Sequence, residues 1–242
     1  MRFSFPIGRL FGTQVRVHST LLLLLAWVFW EEARESAWQD GLRSVLFFVM
    51  VFACVVSHEF GHVWAARRCG IWTSDITLLP IGGMARLERI PEKPAEEIGV
   101  AVAGPVVSGL LGLLFWTLSG FDRLGQEISL RNWDHLPAIL GSVNFGLLFF
   151  NLLPAFPMDG GRVLRAFLAI KLPYLRATEW AAWVGKFLST VLFASGLLIP
   201  LPMLSVLAVF IYVSAARETL NVSARVWPRG GPDPSVGEGS GG

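Results

Sequence analysis

Two long stretches of this chain, Ile98 to Phe121 and Leu136 to Met158, contain no Asp, Glu, Lys or Arg. A third, Ser44 to Ala66, runs for 23 residues with Glu59 as its one formal charge. About 20 apolar helical residues cross the roughly 30 Å hydrocarbon core of a bilayer, so each stretch is long enough to span it. Phe187 to Ala216 is a run of thirty uncharged residues, too long for one crossing, and Pro200 and Pro202 interrupt it. Proline ends regular helix, so this run reads as a hairpin of two spans. Near the N-terminus only Val17 to Trp30 is uncharged, after Arg2, Arg9 and Arg16, which is also how a signal peptide begins. Trp27, Phe29 and Trp30 stand where small residues would mark a cleavage site, so the segment reads as a retained span.

The expected fold is an all-α polytopic membrane protein of about six transmembrane helices, over residues 15–33, 43–67, 97–121, 136–156, 180–199 and 202–217. Composition agrees, since only 16% of residues are charged against roughly 25% in soluble domains. Six spans put both termini on one side. With that side cytoplasmic, fifteen of the twenty Lys and Arg residues fall on inner segments and four on outer loops. Such asymmetry is the positive-inside pattern. Between spans, residues 75–90 (DITLLPIGGMARLERI) read as a small β-hairpin at the cytoplasmic interface, turning at Gly82-Gly83. Arg162 to Leu172 mixes basic and apolar residues as an interfacial helix would. One domain over 1–227 is expected, followed by a disordered Gly/Pro-rich tail over 228–242. Cys54 and Cys69 match no metal or disulfide spacing and read as reduced thiols. A net charge of +2 with no dense basic run argues against a nucleic-acid partner.

The chemistry lies at the end of the second span, where His58-Glu59-Phe60-Gly61-His62 reads H-E-x-x-H. Residues four apart share a helix face, so both imidazoles can reach one metal ion. Glu59 lies about 100° around the helix, beside such an ion, where its carboxylate suits a general base acting on metal-bound water. Ionisable groups at membrane depth are costly and functional by default.

A catalytic zinc site needs three protein ligands and one open position. Asp159 is the leading third candidate. It closes the fourth span in Asn151-Leu-Leu-Pro154-Ala-Phe-Pro157-Met-Asp159-Gly160-Gly161, where two prolines and two glycines break the helix. Irregular backbone at that depth is tolerated where it lines a protein-walled or wet cavity. His18, at the start of the first span, is the alternative ligand, while His135 falls on the outer side. Asn151 could donate to a carbonyl oxygen as it gains negative charge. Asn144, two turns earlier, reads as a helix–helix hydrogen-bonding residue, and Gly104, Ser108 and Gly112 as a close-packing stripe.

Together these residues resemble the site-2 protease family of intramembrane zinc metalloproteases. HEFGH and N-x-x-P-x-x-x-x-D-G (Asn151, Pro154, Asp159, Gly160) match its two signature elements, with RVHST, LLPIGGMARL and Ala103-Gly104-Pro105 in support. The likeness covers about residues 9–217, in a minimal form without the PDZ and cystathionine-β-synthase domains of many relatives. It implies one Zn(2+) per chain on His58, His62 and Asp159, with Glu59 as catalytic base and Asn151 positioning substrate. It further implies an integral, multi-pass protein of a prokaryotic cell membrane. The implied activity is cleavage of single-span proteins, such as anti-sigma factors or membrane-tethered regulators, after an upstream site-1-type protease. The edge formed by Ile81, Gly82, Gly83 and Met84 would then receive an unwound substrate strand. Two readings stay open beside it: a membrane zinc peptidase for other membrane proteins, and a non-catalytic zinc-binding scaffold or transporter. Glu59 argues against the latter, since pure metal binding needs no carboxylate between the histidines.

Overall fold

The computed structural model describes residues 3–89, 91, 93–120, 133–199 and 201–226. The expectations for the 228–242 tail and for Pro200 lie outside the described residues. The chain divides into two compact units, Met1–Leu153 and Pro154–Gly242.

The first unit opens with strands β1 (Ser4–Leu10) and β2 (Thr13–His18), then helices α1 (Ser19–Glu35) and α2 (Trp38–Arg68). Strands β3 (Thr73–Leu79) and β4 (Gly82–Leu87) follow, then α3 (Pro94–Ser119), a short 3-10 turn at Trp133–His135, and α4 (Leu136–Asn151). The strands form one sheet in the order β1-β2-β3-β4, with β2 and β3 parallel and the outer pairs antiparallel. A sheet of four strands replaces the single hairpin expected here, and the first helix starts at Ser19 rather than near residue 15.

The reason is visible in β2, where Thr13, Val15 and Val17 are buried in alternation and His18 then caps α1. Such a strand, followed directly by Leu21 to Leu25, reads in sequence as the start of an apolar span. The register of β1 slips between Pro6 and Gly8, which breaks the alternation that would have marked it. Phe11 (φ 48°) and Gly12 (φ 75°) both lie in the left-handed region and close the tight turn between β1 and β2. The turn of the β3–β4 hairpin falls at Pro80-Ile81, two residues earlier than expected, so that Gly82 and Gly83 belong to β4. One face of the sheet packs Val15, Val17, Ile76 and Leu78 on Leu21 of α1 and on Phe52 and Val63 of α2. That packing fixes the sheet beside the second half of α2.

The second unit begins with the irregular segment 154–158, followed by α5 (Asp159–Ala169), α6 (Tyr174–Leu198) and α7 (Pro202–Val226). Gly185 of α6 leaves the backbone of Ala155 in close contact, and Ala181, Ala182 and Ala215 pack around Phe156. The segment before Asp159 is thus seated on a small-residue face of α6 and α7. In α5, which reads in sequence as an interfacial helix, Arg165 is fully buried and ion-paired with Glu218.

Among the described residues, four helices are long and apolar enough to cross a membrane: Trp38–Arg68, Pro94–Ser119, Tyr174–Leu198 and Pro202–Ala224. α1 and α4 have 17 and 16 residues, shorter than these four. The described residues are mostly helical, with these apolar helices and one small sheet.

Candidate metal centre

α2 carries His58 and His62 one turn apart, with 4% and 6% of their surface exposed. Their rings meet edge to face, and the two Nε2 atoms lie 3.1 Å apart. Each Nδ1 atom is held by α3. His62 Nδ1 lies 2.7 Å from the Val100 carbonyl oxygen, and His58 Nδ1 lies 2.9 Å from Ser108 Oγ. A carbonyl can only accept, so His62 Nδ1 carries the proton, and in the neutral ring Nε2 is left with its lone pair. The Ser108 hydroxyl can accept from His58 Nδ1 in the same way. That tautomer aims two lone pairs at one point. Four-coordinate zinc with bonds near 2.05 Å holds two nitrogens about 3.3 Å apart, so the observed separation fits a shared ion.

α3 approaches this point because it lacks side chains there. A Cβ on Gly104 would lie 2.2 Å from His62 Nε2 and 2.7 Å from His58 Nε2, so its absence leaves room beside both lone pairs. Gly61 does the reverse from α2, since a Cβ there would sit 2.6 Å from the Ala103 carbonyl oxygen. The stripe Gly104, Ser108, Gly112 thus divides its work. Gly112 packs on Phe145 of α4, whereas Gly104 and Ser108 line the histidines.

Glu59 is half-buried and turns toward the sheet, where a Cβ on Gly83 would meet its Cγ at 2.7 Å. β4 therefore runs directly beside the carboxylate. It is the last strand of the sheet; Ile81 in the turn before it and Met84 within it are exposed, while Gly82 and Gly83 are half-buried.

Asp159 is the first residue of α5, with 7% of its surface exposed. Gly161 lets that first turn fold back closely, as a Cβ there would meet Ala155 C and Phe156 N at 2.7 Å. His58, His62 and Asp159 are all buried, and each carries a side chain that can ligate a metal ion. The donor set, two imidazoles and a carboxylate, suits zinc.

Other candidates fall elsewhere. His18 Nδ1 accepts from the Thr20 backbone N–H and so caps α1. Asn151 is half-buried and donates through Nδ2 to the Leu147 carbonyl, and the second hydrogen of its amide is left for another acceptor. Asn144 is buried and donates to Leu140 of its own helix. Sequence reasoning missed Ser108, the Val100 carbonyl and the metal-side role of Gly104. The one available signal was spacing, since Gly104 and Ser108 stand four apart, as do His58 and His62.

Comparison with known proteins bears on this geometry. Residues 46–128 and 121–192 match the profile of Peptidase family M50. Zinc metalloprotease MJ0392 of Methanocaldococcus jannaschii is 34% identical over 219 residues, which cover 90% of this chain and 61% of that protein. Putative zinc metalloprotease Rip3 of Mycobacterium tuberculosis is 32% identical, covering 93% of this chain and 61% of that protein. Stage IV sporulation protein FB of Bacillus subtilis is 31% identical over 56% of this chain and 44% of that protein. The chain thus spans about three fifths of the length of the first two relatives. The solved structure of the Site-2 Protease from Methanocaldococcus jannaschii superposes with a TM-score of 0.65 at 33% identity, covering 90% of this chain and 95% of that one.

Proposed function

We propose that this chain, which belongs to Peptidase family M50, the site-2 protease family, is an intramembrane zinc endopeptidase that hydrolyses peptide bonds within or near single-span transmembrane helices. The family and the four apolar helices make it an integral membrane protein. The observation that carries the reading is the buried pair His58 and His62, whose Nε2 atoms face each other, beside the Glu59 carboxylate that points at an edge strand.

His58, His62 and Asp159 would hold one zinc ion, which when bound supplies the Lewis acidity that polarises the scissile carbonyl. Glu59 acts as general base, taking a proton from the attacking water and passing it to the leaving amine. Asn151 donates an amide hydrogen to the carbonyl oxygen as negative charge grows there. The edge at Ile81, Gly82, Gly83 and Met84 pairs with substrate backbone, so an unwound segment lies extended next to Glu59. An intact helix hides its peptide bonds in its own hydrogen-bond ladder, and edge pairing compensates the carbonyls and amides freed by unwinding.

Six spans with both termini cytoplasmic, one catalytic domain over 1–227 and a prokaryotic cell-membrane location complete the proposal, supported by the charge asymmetry. The substrate class follows the family: anti-sigma factors or membrane-tethered regulators, trimmed first by a site-1-type protease. The test is co-reconstitution of the full chain with a single-span candidate substrate in liposomes. Cleavage that stops with a zinc chelator and with Glu59→Gln supports the assignment. Zinc retained by wild type with no cleavage of any candidate favours the scaffold or transporter reading.

A further inference from the structure

Arg165 of α5 has 0% of its surface exposed, among the largest fully buried side chains described. Its Nη1 donates to Glu218 Oε1 of α7 at 2.6 Å. The guanidinium carbon lies 5.1 Å from the ring centre of Phe156 and 5.0 Å from that of Tyr174, the first residue of α6. A buried guanidinium persists only when paired, and these contacts are the ones that suit a planar cation: a carboxylate and two aromatic rings.

The partners are connected to the site by the chain itself. Phe156 lies three residues before Asp159 and is almost fully buried against Ala181, Ala182 and Ala215. The backbone of Gly161, two residues after Asp159, abuts the backbone N of Phe156. One cation therefore ties the segment leading into Asp159 to α5, α6 and α7 together.

We infer that Arg165 and Glu218 are positioning residues for the metal centre, fixing the segment 154–158 and with it the direction in which Asp159 presents its carboxylate. This rests on the reading of Asp159 as the third zinc ligand. A charged pair suits the task because its contacts are directional, whereas apolar packing alone lets neighbouring rotamers interchange at little cost.

The test uses the full chain in detergent micelles and compares Glu218→Gln, Arg165→Lys, Glu218→Asp and Asp159→Ala with wild type. Four quantities are read: thermal midpoint, zinc affinity by competition with a coloured chelator, the visible spectrum of the cobalt-substituted protein, and kcat and KM on a single-span substrate. Glu218→Gln keeps an acceptor but removes the charge, and Arg165→Lys keeps the charge but removes the planar fork. Both are expected to stay folded, to bind zinc at least tenfold more weakly, to shift the cobalt spectrum, and to lose kcat with KM retained. Glu218→Asp is expected to recover part of the zinc affinity. Folded Glu218→Gln and Arg165→Lys proteins with wild-type zinc affinity and cobalt spectrum would overturn the inference, as would a lowered thermal midpoint alone. If Asp159→Ala itself keeps full zinc affinity, the ligand assignment falls and the inference with it. If Asp159→Ala loses zinc while the other two retain it, the inference alone falls.

Discussion

His58 and His62 turn their Nε2 atoms toward each other at 3.1 Å, while α3 engages both Nδ1 atoms. With a proton on each Nδ1, the facing lone pairs repel unless a cation lies between them. The Val100 carbonyl selects that tautomer at His62, and the Ser108 hydroxyl can accept from it at His58. Outer-shell partners of this kind are typically worth about 10–100-fold in metal affinity. Ser108→Ala is therefore expected to weaken zinc binding by about that factor while leaving the chain folded, as read by chelator competition.

Gly104 is expected to tolerate no side chain. A methyl group there would lie 2.2 Å from His62 Nε2, so α3 must shift away or the imidazoles must rotate out. Gly104→Ala should lose zinc and cleavage together. Gly109→Ala is the control on the same helix, because its Cβ would meet Leu148 only at an ordinary 3.6 Å. Metal content and activity of Gly109→Ala should match wild type.

Gly83 packs on Glu59 rather than on the histidines, so its substitution should separate catalysis from metal binding. A Cβ at Gly83 would stand 2.7 Å from Glu59 Cγ and displace the carboxylate. Gly83→Ala is expected to retain zinc and lose at least tenfold in kcat. Loss of zinc with unchanged kcat in the loaded fraction would place Glu59 outside the proton transfer.

Asn151 already donates one amide hydrogen to Leu147, so the proposed contact with substrate falls to the second. Removing a single donor to a developing oxyanion costs about 10²–10³ in kcat. Asn151→Ala should show a loss of that order with little change in KM or zinc content. A rise in KM at constant kcat would mean that Asn151 binds substrate without stabilising the transition state.

Much of the centre is legible in the sequence because helices translate spacing into direction. His58 and His62 are four apart, and the prolines and glycines around Asp159 announce the break between α4 and α5. What α3 contributes is less legible, because Gly104 and Ser108 look the same in sequence whether they face a helix or an ion. The sheet was half read. β3 and β4 carry alternation around a turn, but β1 carries a bulge and β2 merges into the leucines of α1. Arg165 reads as interfacial because Arg162, Arg165 and Lys171 alternate with apolar residues as they would in a helix at the membrane surface. Its partner Glu218 lies 53 residues away in the chain, a pairing that no local pattern encodes.

The central claim is that His58, His62 and Asp159 jointly hold the ion while Glu59 only uses it. Zinc content and affinity of purified wild type, Glu59→Gln and Asp159→Ala, measured side by side with cleavage of a single-span substrate, test it most directly. The account expects one zinc per chain in wild type and in Glu59→Gln, cleavage only in wild type, and loss of both zinc and cleavage in Asp159→Ala. Full zinc occupancy and activity in Asp159→Ala would contradict it.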